Sequence, residues 1–327
     1  MRRIGRALLW LIVALLALAV AGAIYQAIAT ERAVRAYPPP GEMVDVRGYS
    51  LHINCVGQGS PTVVLDSGLG EFSAQWVRVQ REVSDTTRVC AYDRAGMGWS
   101  EMGPEPRDAK QITSELHTLL SKAGIEGPYV LVGHSLGGLS MLTYAARYPE
   151  EVAGVTLVDS STELDQFCHR PKARDSYEPQ EQTFALVPRL AQLGVSLLAR
   201  LGVVRLLSKL DPASPELPPQ QRAQIDALTP STRQVSTYAL EFLAPTQTRR
   251  LENLGNKPLA VVTAGKSEPS WLKRQDDLAT ISSNSMHRVV KGATHTSVVY
   301  ERSDAQATSA AIVEVVEAVR NDQPLTR

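Results

Sequence analysis

Hydrophobic residues are concentrated most densely in the first thirty positions of the chain. An uncharged stretch from Ala7 to Thr30, rich in Leu, Ala, Val and Ile, follows the basic residues Arg2, Arg3 and Arg6. At about 1.5 Å per residue, a helix of this length can cross a hydrocarbon core of about 30 Å. The pattern predicts one transmembrane helix within residues 1–30.

A cleavable secretory signal is the alternative for this segment. The apolar region of such a signal normally has about 7–15 residues, fewer than here, although Ala27-Ile28-Ala29 resembles a small-x-small cleavage site. We therefore favour an uncleaved single-pass anchor over a secreted protein. The N-terminal arginines outweigh Arg32 and Arg35, so the positive-inside tendency predicts a cytoplasmic N-terminus and an extracytoplasmic body.

Beyond the apolar segment, strand-like and helix-like patterns alternate. Residues 31–42 are predicted to be a linker, because the run of three prolines at 38–40 favours a stiff, extended chain. The predicted strands are 43–47, 50–56, 62–66, 88–92, 129–132 and 154–158, and the predicted helices are 109–123 and 136–148. Such alternation predicts an α/β fold, with a mainly parallel sheet and helices on both faces.

The segment of about 160–250 shows a different pattern. Strand signals disappear, and amphipathic helical stretches are broken repeatedly by proline, which indicates a helical insertion. Strand character returns at 258–263 and 287–290, a helix is predicted over about 304–320, and a tail follows at 321–327. One domain is therefore expected over residues 43–320.

Composition removes several classes of function. The chain has 34 basic and 34 acidic residues and no dense basic block beyond its N-terminus, so nucleic acid is an unlikely partner. Its three cysteines form no CxxC pair and show no metal-ligand spacing with the six histidines, so we expect no metal site.

The strongest chemical motif is Gly133-His134-Ser135-Leu136-Gly137, which fits G-x-S-x-G. It lies between a predicted strand and a predicted helix, the context of a nucleophile elbow, in which the serine is held on a strained turn. The N-terminus of the following helix adds partial positive charge there. Ser135 is therefore the predicted nucleophile.

A serine hydroxyl needs a base, and in this order of elements the base is a histidine late in the chain. His295 follows the last predicted strand in a loop, whereas the other histidines lie in strands, in a helix, in the insertion or beside the serine. Backbone donors must also stabilise the oxyanion. We expect these to be the N–H groups of Leu136 and Leu69, the latter in the glycine-containing loop Ser67–Gly70.

Together these features resemble the α/β-hydrolase superfamily, and within it the esterase-like members that carry a DRAGxGWS segment, here Asp93 to Ser100. The resemblance covers roughly residues 43–320. It implies an eight-stranded sheet, a helical lid inserted after strand six and no cofactor. We interpret the pair Asp93-Arg94 within this segment as structural, holding the loop after strand four against the sheet.

Two carboxylates fit the acid that orients the histidine. Asp159 ends the sixth predicted strand in Leu157-Val158-Asp159-Ser160-Ser161, a position that some members of the family use. Glu268 follows the seventh strand, which is the commoner location. We favour Asp159, because an exposed Glu-Pro pair in a loop needs no catalytic explanation.

This set of residues predicts a serine hydrolase that cleaves carboxylic esters through an acyl-enzyme. A proline-iminopeptidase-like peptidase is one alternative, and a non-catalytic ligand-binding receptor on the same scaffold is another. The insertion is apolar between Phe184 and Leu210, so lipophilic esters are one suggested substrate class. Cys55 and Cys90 fall in neighbouring strands of the family's sheet, where they form either a disulfide or two small buried side chains.

Overall fold

A computed structural model describes residues 2–161, 181–244, 251 and 253–325. The side chains of residues 181–188 are outside this description. Cys168 and His169 therefore lie outside the described residues, as does the part of the predicted insertion at 162–180.

Eight strands form one sheet in the order β1-β2-β4-β3-β5-β6-β7-β8. Strand β2 pairs antiparallel with both β1 and β4, and all other neighbours are parallel. The prediction of a mostly parallel eight-stranded sheet is confirmed. The strands are β1 (Glu42–Asp45), β2 (Ser50–Val56), β3 (Val63–Asp66), β4 (Val89–Tyr92), β5 (Tyr129–His134), β6 (Val152–Val158), β7 (Leu259–Ala264) and β8 (Ser285–Val290).

The described part of the chain also contains eleven α-helices. They are α1 (Arg2–Ala36), α2 (Val77–Ser84), α3 (Ala109–Lys122), α4 (Leu136–Arg147), α5 (Glu181–Arg200), α6 (Val203–Ser208), α7 (Pro219–Leu228), α8 (Thr232–Leu243), α9 (Pro269–Ala279), α10 (Ser297–Tyr300) and α11 (Arg302–Asn321). Helices α5 to α8 follow β6, which confirms the predicted helical lid, and are called the lid below.

The central strands are buried because helices cover both faces of the sheet. Every residue of β3, β4, β5 and β7 is buried, and these strands are rich in Val, Leu and Ala. One apolar cluster joins the sheet to α3 and α4, and a second joins it to α2 and α11. The carboxyl ends of the parallel strands are left free to present polar side chains.

Helix α1 extends further than the sequence pattern predicts. It continues to Ala36, so the first part of the predicted linker of residues 31–42 is helical. The run of prolines begins at Pro38 and ends the helix, since a residue that precedes proline disfavours the helical conformation. Within the described residues, α1 is the one helix that is long and apolar enough to cross a membrane.

A disulfide joins Cys55 and Cys90, which face each other across the pair β2 and β4. The bridge resolves the alternative that the sequence left open. Loop closure across a sequence separation of 35 residues would stabilise the fold by about 3–4 kcal/mol on the chain-entropy estimate.

Candidate active site

Ser135 lies on a sharp turn between β5 and α4. Its backbone has φ 51° and ψ −118°, in a region that residues other than glycine rarely adopt. The turn is possible because its neighbours are small: a Cβ at Gly133 would lie 2.4 Å from the Gly137 carbonyl oxygen, and one at Gly137 would lie 2.3 Å from that of Asp66. Both glycines therefore permit backbone contacts that a side chain would block.

Asp159 and His295 meet at the same edge of the sheet. Asp159 follows β6 and has a positive φ of 41°, and its Oδ2 lies 2.6 Å from Nδ1 of His295. Its Oδ1 accepts hydrogen bonds from the Ala264 N–H at 3.1 Å and from the Trp271 indole N–H at 2.8 Å. The carboxylate is fully buried and is held on both oxygens, so it can fix the orientation of the imidazole.

Glu268, the alternative acid, forms no hydrogen bond or ion pair with His295, whose Nδ1 is paired with Asp159. It is exposed and immediately precedes α9, whose first residue is Pro269. The sequence predicted that the Glu-Pro pair lies in a loop. This holds for Glu268, but Pro269 begins α9, as proline commonly does at the first position of a helix. Trp271, one turn further along, supplies the contact to Asp159 that the sequence did not reveal.

Ser135 is only 3% exposed, and its hydroxyl forms no hydrogen bond with any residue that the structure describes. Hydrogen bonds between catalytic groups are commonly long before substrate binds. The ring of His295 lies in a loop directly after β8, and its centroid is 4.7 Å from that of His134, the residue before the serine. His295 and Ser135 are thus brought to one region by β5 and β8.

The two predicted oxyanion donors lie beside this region. Leu69 packs against Leu136 and Leu139, so the loop after β3 and the start of α4 are in contact. Leu136 is the first residue of its helix, where an N–H has no partner within the helix. Among the described residues, neither the Leu69 N–H nor the Leu136 N–H donates a hydrogen bond to another group.

Arg94 holds the loop that carries Leu69. Its guanidinium donates to Asp66 Oδ1 at 2.8 Å, to the Ser67 carbonyl at 2.5 Å and to the Gly68 carbonyl at 2.8 Å. It also binds both carboxylate oxygens of Glu241 on α8, each at 2.9 Å. Arg94 therefore fixes the loop after β3 to the lid, which is a different task from the one predicted from the sequence.

Asp93 does hold the loop after β4, as predicted from the sequence. Its carboxylate accepts from the N–H groups of Ser73 and Trp99 and lies 3.0 Å from Nδ1 of His52. Burial by itself raises the pKa of Asp93, but the charge of His52 and these hydrogen bonds hold that pKa below its ordinary value. The pKa of His52 is raised in turn, against the effect of its burial, by the charge of Asp93 and the hydrogen bond to it, so both shifts favour the charged forms of the pair.

A second pair, the buried His134 and the partly buried Glu71, was not predicted from the sequence. His134 Nδ1 lies 3.1 Å from a Glu71 carboxylate oxygen, and its Nε2 lies 2.8 Å from the backbone carbonyl of His295. When Glu71 is ionised, its carboxylate and the His295 carbonyl can each only accept a hydrogen bond. The imidazole of His134 must then carry a proton on each nitrogen. His134 thus supports the backbone of the very loop that carries His295.

The electrostatics of the pair agree with this protonation. Burial alone raises the pKa of Glu71, but the charge of His134 and hydrogen bonds from His134, Tyr300 and the Gly68 N–H lower that pKa to about 2. Burial alone lowers the pKa of His134, but Glu71 and the His295 carbonyl raise it above its ordinary value. The sequence signal that could have indicated this pair is the position of Glu71, directly after the loop Ser67–Gly70.

Comparisons with known proteins agree with the fold. A family model for the alpha/beta hydrolase fold matches residues 61–301. A curated relative, a probable transporter of Hormonema carpetanum, is 36% identical over 129 residues, which are 37% of this chain and 18% of the relative. The aligned stretches cover 18 to 42% of the length of the first curated relatives.

Solved structures with the same fold include two hydrolases. A thermophilic esterase from Thermogutta terrifontis is 22% identical, with a TM-score of 0.61, over 85% of this chain and 98% of the esterase. An enol-lactonase from Burkholderia xenovorans LB400 is 18% identical, with a TM-score of 0.61, over 84% of this chain and 100% of the lactonase. At these identities the likeness extends to the fold.

Proposed function

Because this chain belongs to the α/β-hydrolase family, we propose that it is a serine hydrolase that cleaves carboxylic esters through an acyl-enzyme. The observation that carries the proposal is the contact between Asp159 Oδ2 and His295 Nδ1, at 2.6 Å, beside a serine on a strained strand-to-helix turn. A carboxylate on one imidazole nitrogen leaves the other nitrogen to act as base.

In the proposed reaction, Ser135 Oγ attacks the acyl carbon while Nε2 of His295 takes the hydroxyl proton. The N–H groups of Leu69 and Leu136 donate to the oxyanion that forms. The tetrahedral intermediate collapses, the alcohol leaves with the proton from His295, and the acyl group stays on Ser135. Water then attacks in the same way, so that the products are one carboxylic acid and one alcohol. Asp159 holds the imidazole tautomer and stabilises the imidazolium.

The residue at the elbow distinguishes this reaction from others on the same fold. Dehalogenases and epoxide hydrolases form an alkyl-enzyme on an aspartate, and this chain has Ser135 there. A peptidase of the proline-iminopeptidase type would need an acidic cluster for the substrate amine, for which the sequence gives no signal. Ester hydrolysis therefore fits the site better than either alternative.

We also propose that the catalytic domain lies outside the cytoplasm and that α1 is retained as its anchor. A disulfide forms and persists in an oxidising compartment, and Cys55–Cys90 is bridged. Gln26 of α1 is 3% exposed and donates to the Pro230 carbonyl of the lid at 2.9 Å. Cleavage after Ala29 would remove this contact.

Burst kinetics on the full-length protein in detergent micelles would test the proposed activity. We expect a chromogenic ester to release its alcohol in a burst stoichiometric with enzyme, followed by slower turnover, because an activated ester acylates the serine faster than water removes the acyl group. A panel of acyl chain lengths would then define the substrate class. A receptor without catalysis would show binding but no burst, and that outcome would refute the proposal.

A further inference from the structure

Helices α5 and α6 of the lid expose an unusual number of large apolar side chains. Leu193 is 63% exposed, Leu207 is 58% exposed and Leu210 is 82% exposed. Leu190, Leu193 and Leu197 are spaced so that they share one face of α5. We call the set of these residues the lid patch: Leu190, Leu193, Leu197, Leu206, Leu207 and Leu210.

The charges around the lid patch have one sign. From Gln182 to Leu210 the sequence contains no acidic residue and four basic ones, and three of these, Arg189, Arg200 and Lys209, are exposed. Apolar side chains mixed with basic ones are typical of surfaces that lie at the boundary between acyl chains and anionic lipid headgroups.

The patch adjoins the helix that is apolar enough to span a membrane. A Cβ at Gly22 of α1 would lie 2.4 Å from the Leu201 carbonyl oxygen, so the two backbones touch at the turn between α5 and α6. One to two turns further toward the C-terminus of α1, Gln26 Oε1 and Thr30 Oγ1 accept hydrogen bonds from the Arg205 guanidinium, at 2.8 Å and 3.3 Å. The lid is thus fixed directly to α1.

The position of this contact along α1 sets the depth of the patch. A hydrocarbon core of about 30 Å takes about 20 helical residues, so a span that begins at Ala7 ends near Gln26. The contact between Gly22 and Leu201 therefore falls within the last turns of the span. Leu197 and Leu206, both 55% exposed, lie four and five residues from Leu201 and therefore close to this contact.

We propose that the lid patch is seated in the membrane leaflet on the side of the catalytic domain, with phospholipid acyl chains as its occupant. The long side chains of Arg189, Arg200 and Lys209 then reach up to the headgroups. The proposal rests on the retention of α1 and not on the ester chemistry. It places the lid of the active site on the bilayer, where lipophilic substrates dissolve.

Lipid quenching of a site-specific fluorophore would test the proposal. The full-length protein, with Cys168→Ser to remove the third cysteine, is reconstituted into phosphatidylcholine and phosphatidylglycerol vesicles and labelled with bimane at Leu193→Cys or Leu207→Cys. The matched control is Val289→Cys, because Val289 is 50% exposed on β8. Nitroxide-labelled acyl chains should quench the two lid labels at least twofold and leave the control unchanged.

Two outcomes would overturn the proposal. Equal quenching of the lid and control labels would show that the patch faces water. A blue-shifted lid label that lipid nitroxides do not quench, and that shifts back when the protein is diluted with excess lipid, would show that a second copy of the chain covers the patch. The readout needs no catalysis, so failure here is distinct from failure of the burst experiment.

Discussion

Arg94 and Arg205 both hold the lid, yet they face different kinds of partner. Arg94 lies on the inner side of the lid, the side that faces the sheet. It binds the carboxylates of Asp66 and Glu241 as well as backbone carbonyls. Arg205 lies on the outer side of the lid, the side that faces α1. Among the described residues it binds only neutral oxygens, those of Gln26, Thr30 and Ala227. Both arginines are buried.

This difference follows from what each side must position. A buried charge that loses its partner is strongly destabilising, so a charged network permits little movement of its members. The inner network fixes the loop of Leu69, whose N–H is a proposed oxyanion donor. The acceptors of Arg205 carry no charge, so the outer contacts leave no carboxylate buried without a cation when the lid adjusts to lipid. Chemistry should therefore depend on the inner side, and membrane contact on the outer side.

The largest effect expected on the inner side comes from Ser135→Ala. Loss of a triad serine lowers kcat by about 10⁶. The variant should also lose labelling by a fluorophosphonate probe while its circular dichroism stays unchanged, because Ser135 forms no side-chain hydrogen bond with the described residues. Undiminished labelling of a folded variant would show that another residue is the nucleophile.

The second prediction compares Asp159→Asn with Glu268→Gln. Asparagine at 159 would favour the wrong imidazole tautomer, so kcat should fall by about 10⁴. Glu268 is exposed and forms no hydrogen bond or ion pair with a histidine in the described structure, so its variant should keep activity within about twofold of the wild type. Steady-state kinetics with one chromogenic ester compares the two. A large loss confined to Glu268→Gln would make Glu268 the acid.

The third prediction tests the difference between the two arginines by replacing each of them with methionine. Arg94→Met leaves Asp66 and Glu241 buried without their cation, and unfolding should become easier by about 3–5 kcal/mol. Arg205→Met removes hydrogen bonds to neutral acceptors and leaves no carboxylate without a cation, so it should cost less, about 1–3 kcal/mol. Thermal unfolding in one detergent measures both. Equal losses would show that the charge of the partners does not distinguish the two sides.

Local patterns were enough to predict much of the fold. Each strand, the G-x-S-x-G turn and the late histidine is encoded within a few neighbouring residues. These features predicted the sheet and the position of Ser135 at the end of a strand. The supports of the site are not local. Glu71 and His134 are 63 residues apart and Arg94 and Glu241 are 147 apart, so no periodicity relates them. Only the folded sheet edge brings such partners together.

The smallest expected effect concerns the pH dependence of the inner pair Glu71 and His134. The pKa of Glu71 is lowered from 4.5 to about 2, so its contribution to stability is full above pH 4.5 and is lost as pH falls through about 2. The pKa of His134 is raised above 6.5, so its contribution is full below pH 6.5 and is lost as pH rises through the raised value. The pair should stabilise most between about pH 4.5 and 6.5.

His134→Gln and Glu71→Gln test this window. Thermal midpoints between pH 3 and 9 should pass through a maximum in the wild type, with Tyr300, His295 and Asp159 as the other titratable groups near the pair. Glu71→Gln should flatten the acid side, because glutamine cannot gain the proton that breaks the pair. His134→Gln should flatten the alkaline side and lower kcat more than it raises KM, because His134 supports the backbone of His295. Unchanged pH profiles in both variants would mean that the pair is neutral in the folded protein.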